Sequence, residues 1–381
     1  MTSNRRCIVA IAEYGKGSSS GSRFSGCLFR LALSDTDREI APGGRKWFRL
    51  IAGSALAGVD ALLEEGTMRF AVIGAGAVGG YFGGRLAQSG EDVWFLARGR
   101  TLEALRQHGL KVDSAKGDFV LPSVRVSEQP NEVGPVDVVL VAVKAWQIAE
   151  LAPILKPLVG PQTMVVPLQN GVEAPDELSR MVGGDKVLVG LCGLMSMIVE
   201  PGHIRHFGLE PFIAFKEQNN SRTPRLEPLR AAIAKSGVQA AIPEDIHVRF
   251  WLKFLFITAL GGVGSVTRAP AGIVRQTPAT RQLLYRTIRE IDALAKAKGV
   301  KMPASAVDDT MAIVDGMPPG GTTSMQRDIL EGRPSELESL CGAVARIGKE
   351  LGLDLPVNTA IYSALLPSEM RARGELKFDR M

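Results

Sequence analysis

At 381 residues the chain has room for about two domains of ordinary size, each able to bury a core. Its composition, 45% apolar and 22% charged, is that of a folded globular protein and sets aside the disordered and fibrous classes. With 45 basic against 40 acidic residues the net charge is only +5, too even a balance for a nucleic-acid-binding surface, and the four cysteines, Cys7, Cys27, Cys192 and Cys341, hold no C-x-x-C pair, as expected of a cytoplasmic protein without disulfide or zinc.

Residues 1–67 show no sustained hydrophobic period, and the stretches SSSGSRFSG and APGGRK are loop-like, so this segment is expected to be a disordered or non-native extension. Its apolar run, Leu50 to Val59, lies too far from the N-terminus for a secretory signal. Translation from Met68 would open the chain directly on a strand, and Glu64-Glu65-Gly66 is compatible with a purine-rich ribosome-binding sequence just ahead of that codon.

From Met68 the pattern becomes regular. Arg69 to Ile73 reads as a strand, Val78 to Ser89 as a helix stopped by Gly90, and Asp92 to Ala97 as a second strand. Further strands are expected at Val136 to Val143 and Thr163 to Leu168, separated by a helix from Trp146 to Leu158. Val-rich strands alternating with helices mean a parallel sheet covered on both faces, an α/β domain of the Rossmann type expected to span residues 68–243. Strand-like segments at Val187 to Ile198, His203 to His206 and Pro211 to Phe215 are expected to extend that sheet. His203 and His206, three apart on a strand, face opposite ways and so do not form a shared metal site. Two uncharged runs, Val187 to Val199 and Phe254 to Val266, fall short of the ~20 residues of a membrane span and read as core.

The turn between the first strand and the first helix carries the chemistry of this half. In Gly74-Ala75-Gly76-Ala77-Val78-Gly79, backbone N–H groups at a helix N-terminus can receive a pyrophosphate, with close approach at Gly76 and helix packing at Gly79. An NAD site would carry an acid about 20 residues on, where this chain has Arg98. A guanidinium there pairs with a ribose 2′-phosphate, so NADPH is the expected cofactor.

From residue 244 to 381 the pattern is helical, with helices expected at Glu244 to Leu260, Thr280 to Lys298, Ala304 to Val314, Ser324 to Glu331, Ser335 to Leu351 and Asn358 to Leu365. Lys253 is the one charge between Phe250 and Leu260. Such a lysine either snorkels to the surface or supplies a catalytic ammonium. Thr323-Ser324-Met325-Gln326 resembles a capping box and puts Ser324 at a helix N-terminus, a place suited to a carboxylate. Glu336 is either a first-turn acid favoured by the helix dipole or a functional group.

Together these residues resemble the ketopantoate reductase (2-dehydropantoate 2-reductase) family. The likeness runs through GAGAVGGYFGGRLAQSG, the LARG that contains Arg98, VKAWQ with Lys144 and Gln147, LQNGV with Asn170, the helix of Lys253, and SMQRDILEGRPSELE with Ser324, Asp328 and Glu336. It implies a Rossmann-type domain followed by an all-helical domain, with the active site between them. It also implies that Arg98, Lys144 and Gln147 meet NADPH, that Asn170 lies where nicotinamide and substrate meet, that Lys253 is the general acid, that Glu336 fixes its amine, and that Ser324 and Glu336 help hold substrate. Where the family pattern places asparagines four and eight residues after the lysine, this chain has Ile257 and Gly261 on the substrate-facing side. The implied activity is NADPH-dependent reduction of a small 2-oxo acid, ketopantoate or a more apolar relative, by a monomer or homodimer without membrane or nucleic-acid partners. An opine or hydroxy-acid dehydrogenase, and a non-catalytic NADPH-binding protein, are the alternatives.

Overall fold

The structure, a computed structural model, describes residues 66–378, so the expectations for the segment before Gly66 lie outside the described residues. The strands are Arg69–Ile73 (β1), Asp92–Leu96 (β2), Leu110–Ser114 (β3), Phe119–Leu121 (β4), Arg125–Ser127 (β5), Val136–Val141 (β6), Val159–Pro167 (β7), Leu188–Gly193 (β8), Ser196–Glu200 (β9), His203–His206 (β10), Phe212–Glu217 (β11) and Gln239–Ala241 (β12). The α-helices of six residues or more are Ala77–Gln88 (α1), Gly99–His108 (α2), Ala174–Val182 (α3), Leu226–Lys235 (α4), Ile246–Thr267 (α5), Ala271–Gln276 (α6), Pro278–Ala297 (α7), Ala306–Asp315 (α8), Ser324–Glu331 (α9), Ala343–Glu350 (α10) and Pro356–Ala372 (α11).

The main sheet is parallel throughout, in the order β5-β2-β1-β6-β7. Alternate residues of its strands point to opposite faces, and both faces are buried. Phe70, Val72, Val138 and Leu140 pack on one side with Tyr81, Phe82 and Leu86 of α1. Ala71, Ile73, Val139 and Val141 pack on the other with Ile148, Leu155 and Leu178. The chain leaves β1 in one direction toward β2 and returns on its other side as β6, so a crevice opens where the carboxyl ends of β1 and β6 diverge.

The later strands do not extend this sheet as the sequence led us to expect. The segment Val187 to Ile198 breaks into β8 and β9, which join two further sheets, β4-β3-β10-β9 and β12-β11-β8. An isolated bridge between Val165 of β7 and Val187, just before β8, links the two. The expected helix Trp146 to Leu158 is also divided, into a 3₁₀ segment Ala145–Glu150 and one turn Ala152–Leu155. Pro153 and Pro157 supply the reason, since each removes a backbone donor that a continuous helix would need.

After Asp245 the chain is helical and wraps around α5. Asp245 caps that helix, accepting from the backbone N–H of His247 at 2.9 Å and of Val248 at 3.1 Å. At 22 residues α5 is longer than expected, and it is long and apolar enough by composition to cross a membrane, yet 78% of its most apolar stretch is buried within the protein. It is apolar all round because protein surrounds it. Phe254, Leu255, Leu260 and Val263 pack against Leu284 and Ile288 of α7 and Ile361 of α11. The expected helix Ser335 to Leu351 begins instead with a π-helical turn, Glu338–Gly342, marked by the bond from Gly342 N–H to Leu337 carbonyl at 2.9 Å, before α10 follows.

Candidate active site

The candidate residues of the first half all stand at the carboxyl ends of the parallel strands: the glycine-rich turn after β1, Arg98 after β2, Lys144 and Gln147 after β6, and Asn170 after β7. In the turn, Gly74, Ala75, Gly76, Ala77 and Val78 are half-buried and Gly79 is buried. A Cβ on Gly79 would lie 2.1 Å from the Gly74 carbonyl oxygen, so only glycine lets α1 start this close to β1. A Cβ on Gly76 would meet nothing nearer than Ile198 Cδ1 at 3.9 Å, which leaves room above the helix N-terminus. No side chain caps α1 and its first turn holds no acid. Open space, uncapped N–H groups and the absence of a repelling carboxylate fit a pyrophosphate. Arg98 is exposed and precedes α2 as its N-cap residue.

Lys144 is less free. Its ammonium lies 3.6 Å from Asp328 of α9 and 5.6 Å from the Trp146 ring, against which Arg373, the C-cap residue of α11, also stacks at 4.5 Å. Gln147 accepts a hydrogen bond from Lys144 N–H at 3.2 Å through Oε1.

On α5, Phe250, Lys253, Phe254 and Ile257 recur at the spacing of one helical face, and all four line a narrow cleft whose other wall is Gln169, Asn170 and Gly171. Lys253 is buried, and its Nζ donates to the Cys192 carbonyl of β8 at 2.7 Å. Burial pushes the Cys192 thiol pKa up, opposed by the nearby Lys253 ammonium and reinforced by Glu336. Glu336, also buried, accepts a hydrogen bond from Asn170 Nδ2 at 3.0 Å. The structure therefore gathers Asn170, Lys253, Ile257 and Glu336. Gly171 makes the approach possible: its φ of +104° and the 2.7 Å that would separate its Cβ from the Ser339 carbonyl oxygen both require glycine.

Ser324 and Gly261 lie elsewhere, beyond the residues lining that cleft. A Cβ on Gly261 would lie 3.0 Å from Met325 Cε and 3.1 Å from Thr323 Oγ1, so this glycine serves the contact between α5 and the start of α9. Thr323 is the N-cap, accepting from Gln326 N–H at 3.2 Å, and Ser324 is the first helical residue. The capping box is half formed, because the Gln326 side chain turns inward and donates to the carbonyls of Gly264 at 3.1 Å and Ala269 at 2.9 Å.

Four cleft residues, Gln169, Gly171, Phe250 and Phe254, escaped the sequence reading. Phe250 and Phe254 were legible from their spacing around Lys253. Gln169 was not. Its Nε2 donates to the carbonyls of Val141 at 2.9 Å and Val143 at 3.0 Å, which ties the end of β7 to the end of β6, and no local pattern announces such a bond.

Comparison with known proteins places this geometry. The family model described as ketopantoate reductase PanE/ApbA matches residues 70–219, and that of the ketopantoate reductase PanE/ApbA C terminal matches residues 245–369. An uncharacterized oxidoreductase, YkpB of Bacillus subtilis, is 32% identical over 300 residues, covering 78% of this chain and 98% of the relative. A 2-dehydropantoate 2-reductase of Nostoc sp. is 31% identical over 316 residues, covering 82% and 98%. Among solved structures, the 2-dehydropantoate 2-reductase of Geobacter metallireducens GS-15 superposes with a TM-score of 0.73 at 32% identity, covering 78% of this chain and 99% of that one. D-mandelate dehydrogenase in complex with NADH and anilino(oxo)acetate also reaches a TM-score of 0.73, over 80% of this chain and 99% of its own; at 20% identity that likeness is one of fold.

Proposed function

The chain belongs to the ketopantoate reductase family, and on that footing we propose that it reduces a small 2-oxo acid to the 2-hydroxy acid at the expense of NADPH. The observation that carries this reading is the buried Lys253 ammonium in a cleft shared with Asn170 and joined through it to Glu336. A bound nicotinamide dinucleotide would supply the hydride. The glycine-rich turn would hold its pyrophosphate, and Arg98 its 2′-phosphate, with Lys144 and Gln147 beside it.

The chain's own part is to orient the keto acid and deliver a proton. One N–H of Lys253 is committed to the Cys192 carbonyl at 2.7 Å, which aims the ammonium and leaves two donors for the substrate. As the ketone carbon is reduced, negative charge gathers on its oxygen, and the same ammonium both stabilises that charge and donates the proton. Glu336 makes no direct ion pair with Lys253 among the described residues; Asn170, donating to it at 3.0 Å, holds its carboxylate beside the cleft. Ser324, at the start of α9 and outside the lining of this cleft, would reach a substrate carboxylate only where the acid extends beyond it.

The lining of the cleft favours a second substrate over ketopantoate itself. On the α5 wall Phe250, Phe254 and Ile257 offer no partner to a hydroxyl, and one buried against that wall and left unpaired costs on the order of 1–3 kcal/mol, about ten- to a hundredfold in kcat/KM. NADPH oxidation measured against a panel of branched, aromatic and hydroxylated 2-oxo acids is expected to rank an apolar acid above ketopantoate. Lys253→Ala should lower turnover of the best acid by roughly 10²-fold or more while NADPH still binds. Tight NADPH binding with no turnover of any acid would favour a non-catalytic role, and turnover of a different substrate pair a related dehydrogenase.

A further inference from the structure

Helix α11 does not line the cleft, yet it reaches the residue next to Glu336. Glu369 is 2% exposed. Its Oε1 and Oε2 accept from Ser335 N–H at 3.0 and 3.1 Å, and Oε2 accepts from Ser335 Oγ at 2.6 Å. Arg373, one turn further along α11, pairs with Glu369 Oε1 at 2.7 Å and donates to the Ser335 carbonyl at 2.9 Å. The amide, hydroxyl and carbonyl of Ser335 are thus all held by one carboxylate and one guanidinium. On the other side of Glu336, Leu337 N–H donates to Ser335 Oγ at 3.2 Å.

Burying a carboxylate is costly, and an apolar pair would fill the same space without that cost. What an apolar pair could not do is fix a non-helical backbone by its N–H and C=O groups. Glu336 sits at the end of that segment, between α9 and the π-helical turn: its carbonyl accepts from Leu340 N–H at 3.0 Å, while no regular hydrogen-bond ladder holds the residues just before it. Its carboxylate meets Asn170, which stands on a different part of the molecule at 3.0 Å, so a small shift of the segment breaks the contact.

We propose that Glu369, with Arg373, is a positioning residue that sets the Glu336 carboxylate against Asn170 for the reaction. The inference rests on the reading of the site given above, in which Glu336 takes part in turnover. Glu369 does not line the cleft, and it acts through the backbone and hydroxyl of Ser335 and through Arg373.

The test is a double-mutant cycle. Glu369→Ala and Glu336→Gln are made singly and together, and kcat, KM for the preferred 2-oxo acid, Kd for NADPH and Tm are measured for each. Glu369→Ala is expected to lower kcat/KM by about ten- to a hundredfold, the scale of a misplacement of about 1 Å, while Kd for NADPH changes less than about twofold. In the Glu336→Gln background the same substitution should cost nothing further in kcat/KM, whatever it does to Tm. Glu369→Gln, which keeps one acceptor for Ser335, should recover part of the loss. A Glu369→Ala protein that melts earlier but keeps its kcat/KM, or losses that multiply in the double variant, would overturn the proposal and leave Glu369 a stability residue. Unchanged turnover in Glu336→Gln alone overturns the reading of Glu336 and this inference with it. If Glu369→Ala does not fold, Ser335→Ala, which deletes the 2.6 Å bond and the one from Leu337 N–H but keeps the bonds of the Ser335 N–H and carbonyl, replaces it in the same cycle with the same criteria.

Discussion

Arg98 extends from the end of β2 into solvent beside the crevice at the carboxyl ends of β1 and β6. Because a guanidinium attracts a 2′-phosphate and a carboxylate repels it, Arg98→Asp should weaken NADPH binding far more than NADH binding, by tenfold or more on the scale of about 1.4 kcal/mol per decade. Titration of the variant with both cofactors checks this, and an unchanged preference would remove Arg98 from the 2′-phosphate site. Residues of this kind were legible in the sequence, since a motif fixes their distance from a strand end and the strand end fixes their place. Lys253 was legible as the one charge of an apolar helix, and Asn170 through the family resemblance of LQNGV. Glu369 was not, because its importance lies in what it does to Ser335, 34 residues away, and nothing local distinguishes it from a surface acid of a terminal helix.

At the scale of elements, the parallel strands were readable from their unbroken apolar runs, which only a sheet buried on both faces tolerates. The small sheets were not, because β3 and β10 pair through residues some 90 positions apart, His203 opposite Lys111, and periodicity carries no record of partners. The junction of β1 and α1 invites a direct test. Gly79→Ala would set a methyl group 2.1 Å from the Gly74 carbonyl oxygen and 2.9 Å from Ala142 Cβ, so the turn must open. Thermal melts should show a loss of about 1–3 kcal/mol, the usual cost of overpacking, together with weaker dinucleotide binding. A variant as stable as the parent would mean that the turn is more pliant than its contacts indicate.

For the whole molecule, the buried His206 ties stability to pH. It is 2% exposed, its Nε2–H donates to the Leu209 carbonyl at 2.9 Å, and Nδ1 accepts from Ser114 Oγ at 2.8 Å, an arrangement that suits the neutral ring. Burial pushes its pKa below the usual value, the cations Arg85 and Lys116 act in the same direction, and the Leu209 carbonyl and Glu210 oppose them. The folded value therefore lies below the unfolded one of about 6.5, so the unfolded state takes up the proton first and stability falls as pH drops through and below that value. Denaturant melts at successive pH values from neutral to mildly acidic should show this decline, and His206→Gln should flatten it. A decline of the same size in the variant would assign the effect to other groups. Asp113 adds the carboxylate counterpart: bonds from Arg205 and His203 hold its pKa down, so its contribution is present at neutral pH and is lost only at lower pH, as it too is protonated.

The π-helical turn at Glu338–Gly342 has a further consequence, in the arithmetic of insertion and deletion. Such a turn is an α-helix carrying one residue more than its pitch allows. Each residue of an α-helix rotates the chain by about 100°, so losing one here would let the turn wind back to α and swing everything ahead of it by that angle. Glu336 is what lies ahead. A relative one residue shorter at this point would keep the helix, its buried face and its fold, and would present its acid in another direction, so the length of this segment is as much a part of the site as the identity of the residues in it.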